Sequence, residues 1–213
     1  MDEWSKGRGD GERCGRGGGG VDARGLWRVG EGRWRPRGGG PHAAARTRAG
    51  PPRKRPQGVV VGCSTRSMAS FPGGLLDPRN VVVGPLVLVG AADTPARTVQ
   101  EFGGNKFPAL VRAGHRVTVA LSQRTRRVAS LGYGPLPQGA LTELSPRDGH
   151  RVVTFIACQR GEPSGSTADG RPVSFWPGFV LTSSPRCVPL EVWVDDEPSP
   201  RHTALRMGVP RCR

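Results

Sequence analysis

The stretch from Val173 to Cys212 limits the possible folds more than any other. It reads VSFWPGFVLTSSPRCVPLEVWVDDEPSPRHTALRMGV and closes on PRC. Apolar residues recur at every second position, the period of a strand with one buried face. Two apolar runs, a Pro-bearing loop and a third run predict a closing hairpin. Placing Cys187 opposite Cys212 sets Leu190 against Val209, Val192 against Met207 and Val194 against Leu205, all on one face. The other face then carries Glu191, Trp193 and Arg206, with Trp193 opposite Arg206 in reach of a cation–π contact. One register thus offers a core face, a surface face and a disulfide.

The same texture begins at Asn80. VVVGPLVLV (81–89), Phe107 to Val111, Val117 to Leu121, Val128 to Tyr133 and HRVVTFIAC (150–158) all read as strands. Gly84-Pro85 marks a bulge or an edge, because Pro cannot donate to a ladder. Residues 91–105 read as a loop. With turn signals every ~8–12 residues and no helical period, residues 80–213 predict an all-β domain. The expected fold is an Ig-like or cupredoxin-like antiparallel β-sandwich of about eight strands. The cupredoxin likeness covers only the strand–turn–strand VRAGHRVTV (111–119). A copper site needs a Cys and a His close together, and the only His after Cys187 is His202.

The front of the chain is different. Residues 1–57 hold 14 Lys+Arg and 6 Asp+Glu, with GRGGGG, RGGGP and PPRKRP runs. Too little apolar surface is present to offset the ordering entropy, so a disordered Gly/Arg/Pro-rich arm is expected there. It resembles translated GC-rich DNA from a misplaced gene start more than a selected repeat. Gly15, Gly17 and Gly20 spell G-x-G-x-x-G without the flanking strand and helix a dinucleotide site requires. Residues 58–79 read as a linker carrying Cys63. Val60-Val61-Gly62-Cys63 resembles a bacterial lipobox, but the apolar run before it is far shorter than the ~7–15 residues of a signal. A short strand or one half of a disulfide is the favoured reading, and no intact signal peptide is seen.

Net charge is +15, which points to an acidic partner such as nucleic acid or anionic lipid. Yet 29 of the 32 basic residues are Arg, and Gly and Pro number 33 and 21. GC-rich codons alone give that bias, so nucleic-acid binding is the weaker reading. No run approaches the ~18–20 apolar residues of a membrane-spanning helix.

Cys63, Cys158, Cys187 and Cys212 flank the predicted strands, and four cysteines allow three pairings. The hairpin register favours Cys187–Cys212 and leaves Cys63–Cys158. Two disulfides imply an extracytoplasmic location. No C-x-x-C pair or histidine spacing suggests zinc. Catalytic motifs are missing: G-x-S-x-G, H-E-x-x-H and a P-loop are all absent. His42, His115, His150 and His202 stand apart, and Asp195-Asp196-Glu197 reads as a solvated turn. No catalytic, cofactor or metal residue is assigned.

Residues 80–212, through NVVVGPLVLVGA, EFGGNKFPALVRAGHRVTVAL, GRPVSFWPGFVL and RCVPLEVWVD, resemble uncharacterised secreted or envelope proteins of high-GC actinobacteria. The resemblance implies an extracytoplasmic β-domain and brings no activity, cofactor or catalytic residue. The leading expectation is a non-enzymatic sandwich that binds or supports a cell-envelope component. Its expected surface is Trp176, Trp193 and Arg206; Phe175 and Phe179 are candidates for the same surface, with core packing the favoured reading for both. One alternative is nucleic-acid or polyanion binding through the arm. Another is a hydrolase, which would need a cleft joining His115 or His150 to a carboxylate and a hydroxyl.

Overall fold

The computed structural model describes residues 53–71, 75, 77–137, 144–162, 165–167 and 170–212. The expected disorder of residues 1–52, and Cys14, lie outside them.

The chain forms an all-β sandwich. A five-stranded sheet runs, in spatial order, β1 (Val59–Val61), β9 (Val152–Ile156), β7 (Arg116–Leu121), β13 (Arg186–Val194) and β14 (Arg201–Met207). β1 lies parallel to β9; the other neighbours are antiparallel. A six-stranded sheet runs β2 (Ser70–Phe71), β10 (Gly165–Thr167), β11 (Pro172–Trp176), β6 (Ala109–Arg112), β4 (Leu86–Leu88) and β3 (Val81–Val83). A small third sheet joins β5 (Gly104–Lys106), β12 (Phe179–Thr182) and β8 (Ala129–Gly132).

One apolar core takes side chains from all three sheets. Val117, Val119 and Leu121 of β7 and Val188, Leu190, Val192 and Val194 of β13 meet Leu86, Val111, Leu131 and Val180 there. Tyr133 is buried among them, and its hydroxyl donates to the Phe107 carbonyl at 2.6 Å. A second, smaller cluster (Leu75, Val87, Leu110, Val173) sits outside this core, with Phe71 packed on it.

Three expectations need correction. The hairpin exists, but Cys187 faces Arg206 rather than Cys212, a slip of six residues. Val188 faces Leu205, and Leu190 faces Thr203. Because six is even, every side chain keeps its expected face. β14 stops at Met207, since Gly208 turns the chain with φ +74° and donates its N–H to the Thr94 carbonyl at 3.0 Å. The chain then returns Cys212 to Cys187, with Cα atoms 5.5 Å apart in a disulfide.

The expected loop at 91–105 contains a helix, α1 (Ala96–Phe102). Pro95 sits at its N-cap, and Gly103 closes it in the left-handed region at φ 64°. The third correction concerns the described residues of 53–79, which belong to the fold. β1 completes the five-stranded sheet, and Cys63 is bonded to Cys158 across a Cα distance of 4.8 Å. Ser67 and β2 continue onto the six-stranded sheet through Phe175 and β10. The strand count exceeds eight because many strands span only three or four residues.

Candidate functional site: a strapped cationic groove

Trp176, Trp193 and Arg206 do not form a surface. Trp176 is 2% exposed, packs its ring 5.3 Å from Phe155, and donates its Nε1–H to the Gly62 carbonyl at 3.2 Å. Trp193 is equally buried, but it lies on the opposite side of the five-stranded sheet from the core and pairs with Thr118 of β7. Arg206 faces Cys187 and donates to the Ala92 and Pro210 carbonyls. Phe175 stacks edge-on against Phe71 at 4.9 Å, and Phe179 is buried. Aromatic bulk won over display: these rings alternate into apolar faces, where burial is worth more than a wet contact.

A different site stands on the outer face of the five-stranded sheet. Alternation puts Val60, Thr154, Ile156, Arg116, Thr118, Glu191 and Trp193 there. Residues 53–58 form a strap over this face. At one end Arg53 pairs with Glu191 at 3.2 Å. At the other, Gly58 rests so close to Val152 that a Cβ would overlap its carbonyl and its own Cβ. Glycine is needed there for close approach.

Between strap and sheet lies a groove of about 530 Å³, with Arg55 and Pro56 of the strap on one side. Gln57, Gly58, Val60, Arg116, Thr118 and Thr154 supply the rest of its lining, and among the described residues no carboxylate lines it. Among the described residues Arg55 has no ion-pair partner. Arg116 meets Asp196 at 3.0 Å, but that carboxylate is 93% exposed, so solvent screens the pair. Thr118 and Thr154 share one hydrogen bond at 2.8 Å between hydroxyls. One of the two must donate to the other, which leaves the second O–H without an acceptor among the described residues. Beside Thr118, the buried Trp193 Nε1–H also lacks an acceptor. An unpaired buried donor costs about 1–3 kcal/mol. The groove therefore offers two guanidinium groups and a pair of hydroxyls; Arg116 is flanked by the Asp195 and Asp196 carboxylates outside the lining, and Arg55 has no acidic partner among the described residues.

Two further clusters of titratable groups stand apart from the groove. His115 Nδ1 lies 2.7 Å from Asp195 Oδ2, and the Arg116 N–H donates to Asp195 Oδ1 at 2.8 Å. Burial pulls the Asp195 carboxyl upward, but the hydrogen bonds from Arg116 and His115 outweigh it and hold the group below its ordinary range. Asp195 takes φ +40°, rare for a residue with a side chain. Among the described residues no hydroxyl or thiol bonds to His115, so a base is present without a nucleophile. His150 bonds the Pro135 carbonyl at 2.8 Å, and His202 faces Glu191 at an exposed edge. Cys63, Cys158 and Glu162 have ligand atoms within 4.8 Å of one another, but the two sulfurs are bonded together and offer no thiolate.

The sequence held one trace of the groove. Gln57-Gly58-Val59-Val60-Val61 reads as a turn into a strand, but no local pattern says which sheet it joins. Comparisons with protein-family models, curated proteins and solved structures find no match.

Proposed function

We propose that this chain is a non-enzymatic, extracytoplasmic β-sandwich that binds a component of the cell envelope, and that the strapped groove is its binding site. The observation that carries the reading is the cationic, carboxylate-free lining of that groove. Arg55 and Arg116 hold charge beside hydroxyls and an exposed Val60. Such a mixture of fixed polar donors and apolar wall is what a ligand pocket requires. Two disulfides are at home in an oxidising compartment. Among the described residues no helix is long and apolar enough to cross a membrane. The lone His115–Asp195 pair gives the hydrolase reading a base without a nucleophile.

The test is sedimentation of the full-length protein with isolated cell envelopes, comparing the native chain with Arg55→Glu/Arg116→Glu. Charge reversal at both positions lowers retention at least tenfold if the groove is the site. Equal retention of both proteins removes the groove from the function. The alternative, polyanion binding through residues 1–52, predicts that retention survives the double reversal and falls in a chain shortened to 49–213, the compact unit that keeps the strap. Cutting at residue 58 would confound the two, because it removes the strap with the arm.

A further inference from the structure

We propose that the ligand of the groove carries a phosphate monoester on a small organic group. This rests on the groove being the binding site and names the chemistry it selects. Two guanidinium groups line the cavity, and among the described residues no carboxylate lines it. A monoester phosphate carries about −1.5 to −2 charge near neutral pH and three strong acceptor oxygens. A carboxylate brings one charge and two oxygens. The planar fork of arginine suits phosphate oxygens in pairs. Among the described residues Arg55 has no ion-pair partner, and Arg116 pairs with the exposed Asp196 beside Asp195. The Thr118 and Thr154 hydroxyls bond each other on the floor, Thr154 being the half-buried one of the two.

Size and wall chemistry ask for more than bare phosphate. A cavity of about 530 Å³ falls within the range of roughly 300–1,000 Å³ that holds whole small molecules. Val60, 57% exposed, and Pro56 form an apolar side against which carbon can lie. Stacking on nucleobases is disfavoured, because Trp176 and Trp193 are both buried and no aromatic ring lines the cavity. The geometry thus favours a compact phosphorylated molecule, or the phosphorylated end of a larger one, over a nucleic-acid strand.

Isothermal titration calorimetry of the full chain at low salt provides the test. The probes are glycerol 3-phosphate, inorganic phosphate, glutarate and glycerol. Expected is saturable binding of glycerol 3-phosphate, at least fivefold weaker binding of inorganic phosphate and of glutarate, and no heat with glycerol. Arg116→Ala and Arg55→Ala should each weaken glycerol 3-phosphate at least tenfold, and Thr118→Val severalfold, with melting curves confirming that each variant folds. Binding that survives both arginine changes belongs to the basic residues elsewhere and overturns the proposal. So does glutarate or inorganic phosphate binding as tightly as the ester. If Arg55→Glu/Arg116→Glu abolishes envelope retention while no phosphate ester binds, the groove reading stands and the ligand class falls. If retention is unchanged by that double reversal, the groove reading itself has fallen.

Discussion

The two faces of the five-stranded sheet are built by different means. The inner face is a run of Val and Leu, contributed at every second position by β7, β9, β13 and β14, and closed by the opposing sheets. The outer face mixes Thr118, Thr154, Arg116, Trp193 and Val60, and the strap from Arg53 to Gly58 crosses it. One kind of force, removal of apolar area from water, specifies the inner face completely. The outer face depends on a distant segment arriving, and on polar partners that are only partly satisfied. Among the described residues the Trp193 N–H there has no acceptor, whereas the inner face is apolar.

The largest test of this contrast removes the bond that ends β1. Cys63–Cys158 closes 95 residues and Cys187–Cys212 closes 25. In a chain-entropy account these are worth about 4.7 and about 3.5 kcal/mol, so Cys63→Ser/Cys158→Ser should destabilise more than Cys187→Ser/Cys212→Ser in denaturant unfolding. The reverse order would show that the strap side contributes little to the fold. Next, Leu190→Ala on the inner face should cost about 3 kcal/mol. Val60→Ala on the outer face should stay within about 0.5 kcal/mol, since that side chain is already largely wet.

A finer comparison uses the tryptophans. Trp176 and Trp193 are both 2% exposed, but among the described residues only the Trp176 indole N–H has an acceptor. Trp176→Phe should therefore cost about 1 kcal/mol more than Trp193→Phe, read as the difference between their unfolding free energies. The smallest effect is on pH. Asp195 is held low as described, and hydrogen bonds from Ser145 hold Asp148 low. A carboxyl whose folded pKa is depressed adds stability above its unfolded pKa of ~3.9 and loses it as pH falls through the folded value. The melting temperature should be level above about pH 5 and drop below about pH 4, less steeply in Asp195→Asn.

Much of the inner face was legible in the sequence, because period-2 alternation reports a buried face whatever the partner strand. Register was not. The Cys187–Cys212 pairing is real, but a strict ladder from Cys187 to Cys212 ignored Gly208, whose positive φ ends β14 early. An even slip hides this error, since Leu190, Val192 and Val194 stay inside in either register. α1 was missed although Pro95 and Gly103 bracket it, because one buried residue, Val99, makes no periodic stripe. The groove was hidden for a deeper reason. Arg55 and Arg116 come from segments far apart in sequence, and nothing local in PPRKRPQ distinguishes a strap from a disordered arm.

The parallel pairing of Val59 with Val153 sets an order of events for a growing chain. β1 is made early and must idle until its neighbour has been synthesised, while ladder contacts at such long range form slowly. Between its own synthesis and the docking of β1, β9 presents a bare hydrogen-bonding edge, an invitation to strands from other molecules. Timely docking of this three-residue strand therefore matters more to the yield of native protein than its length suggests.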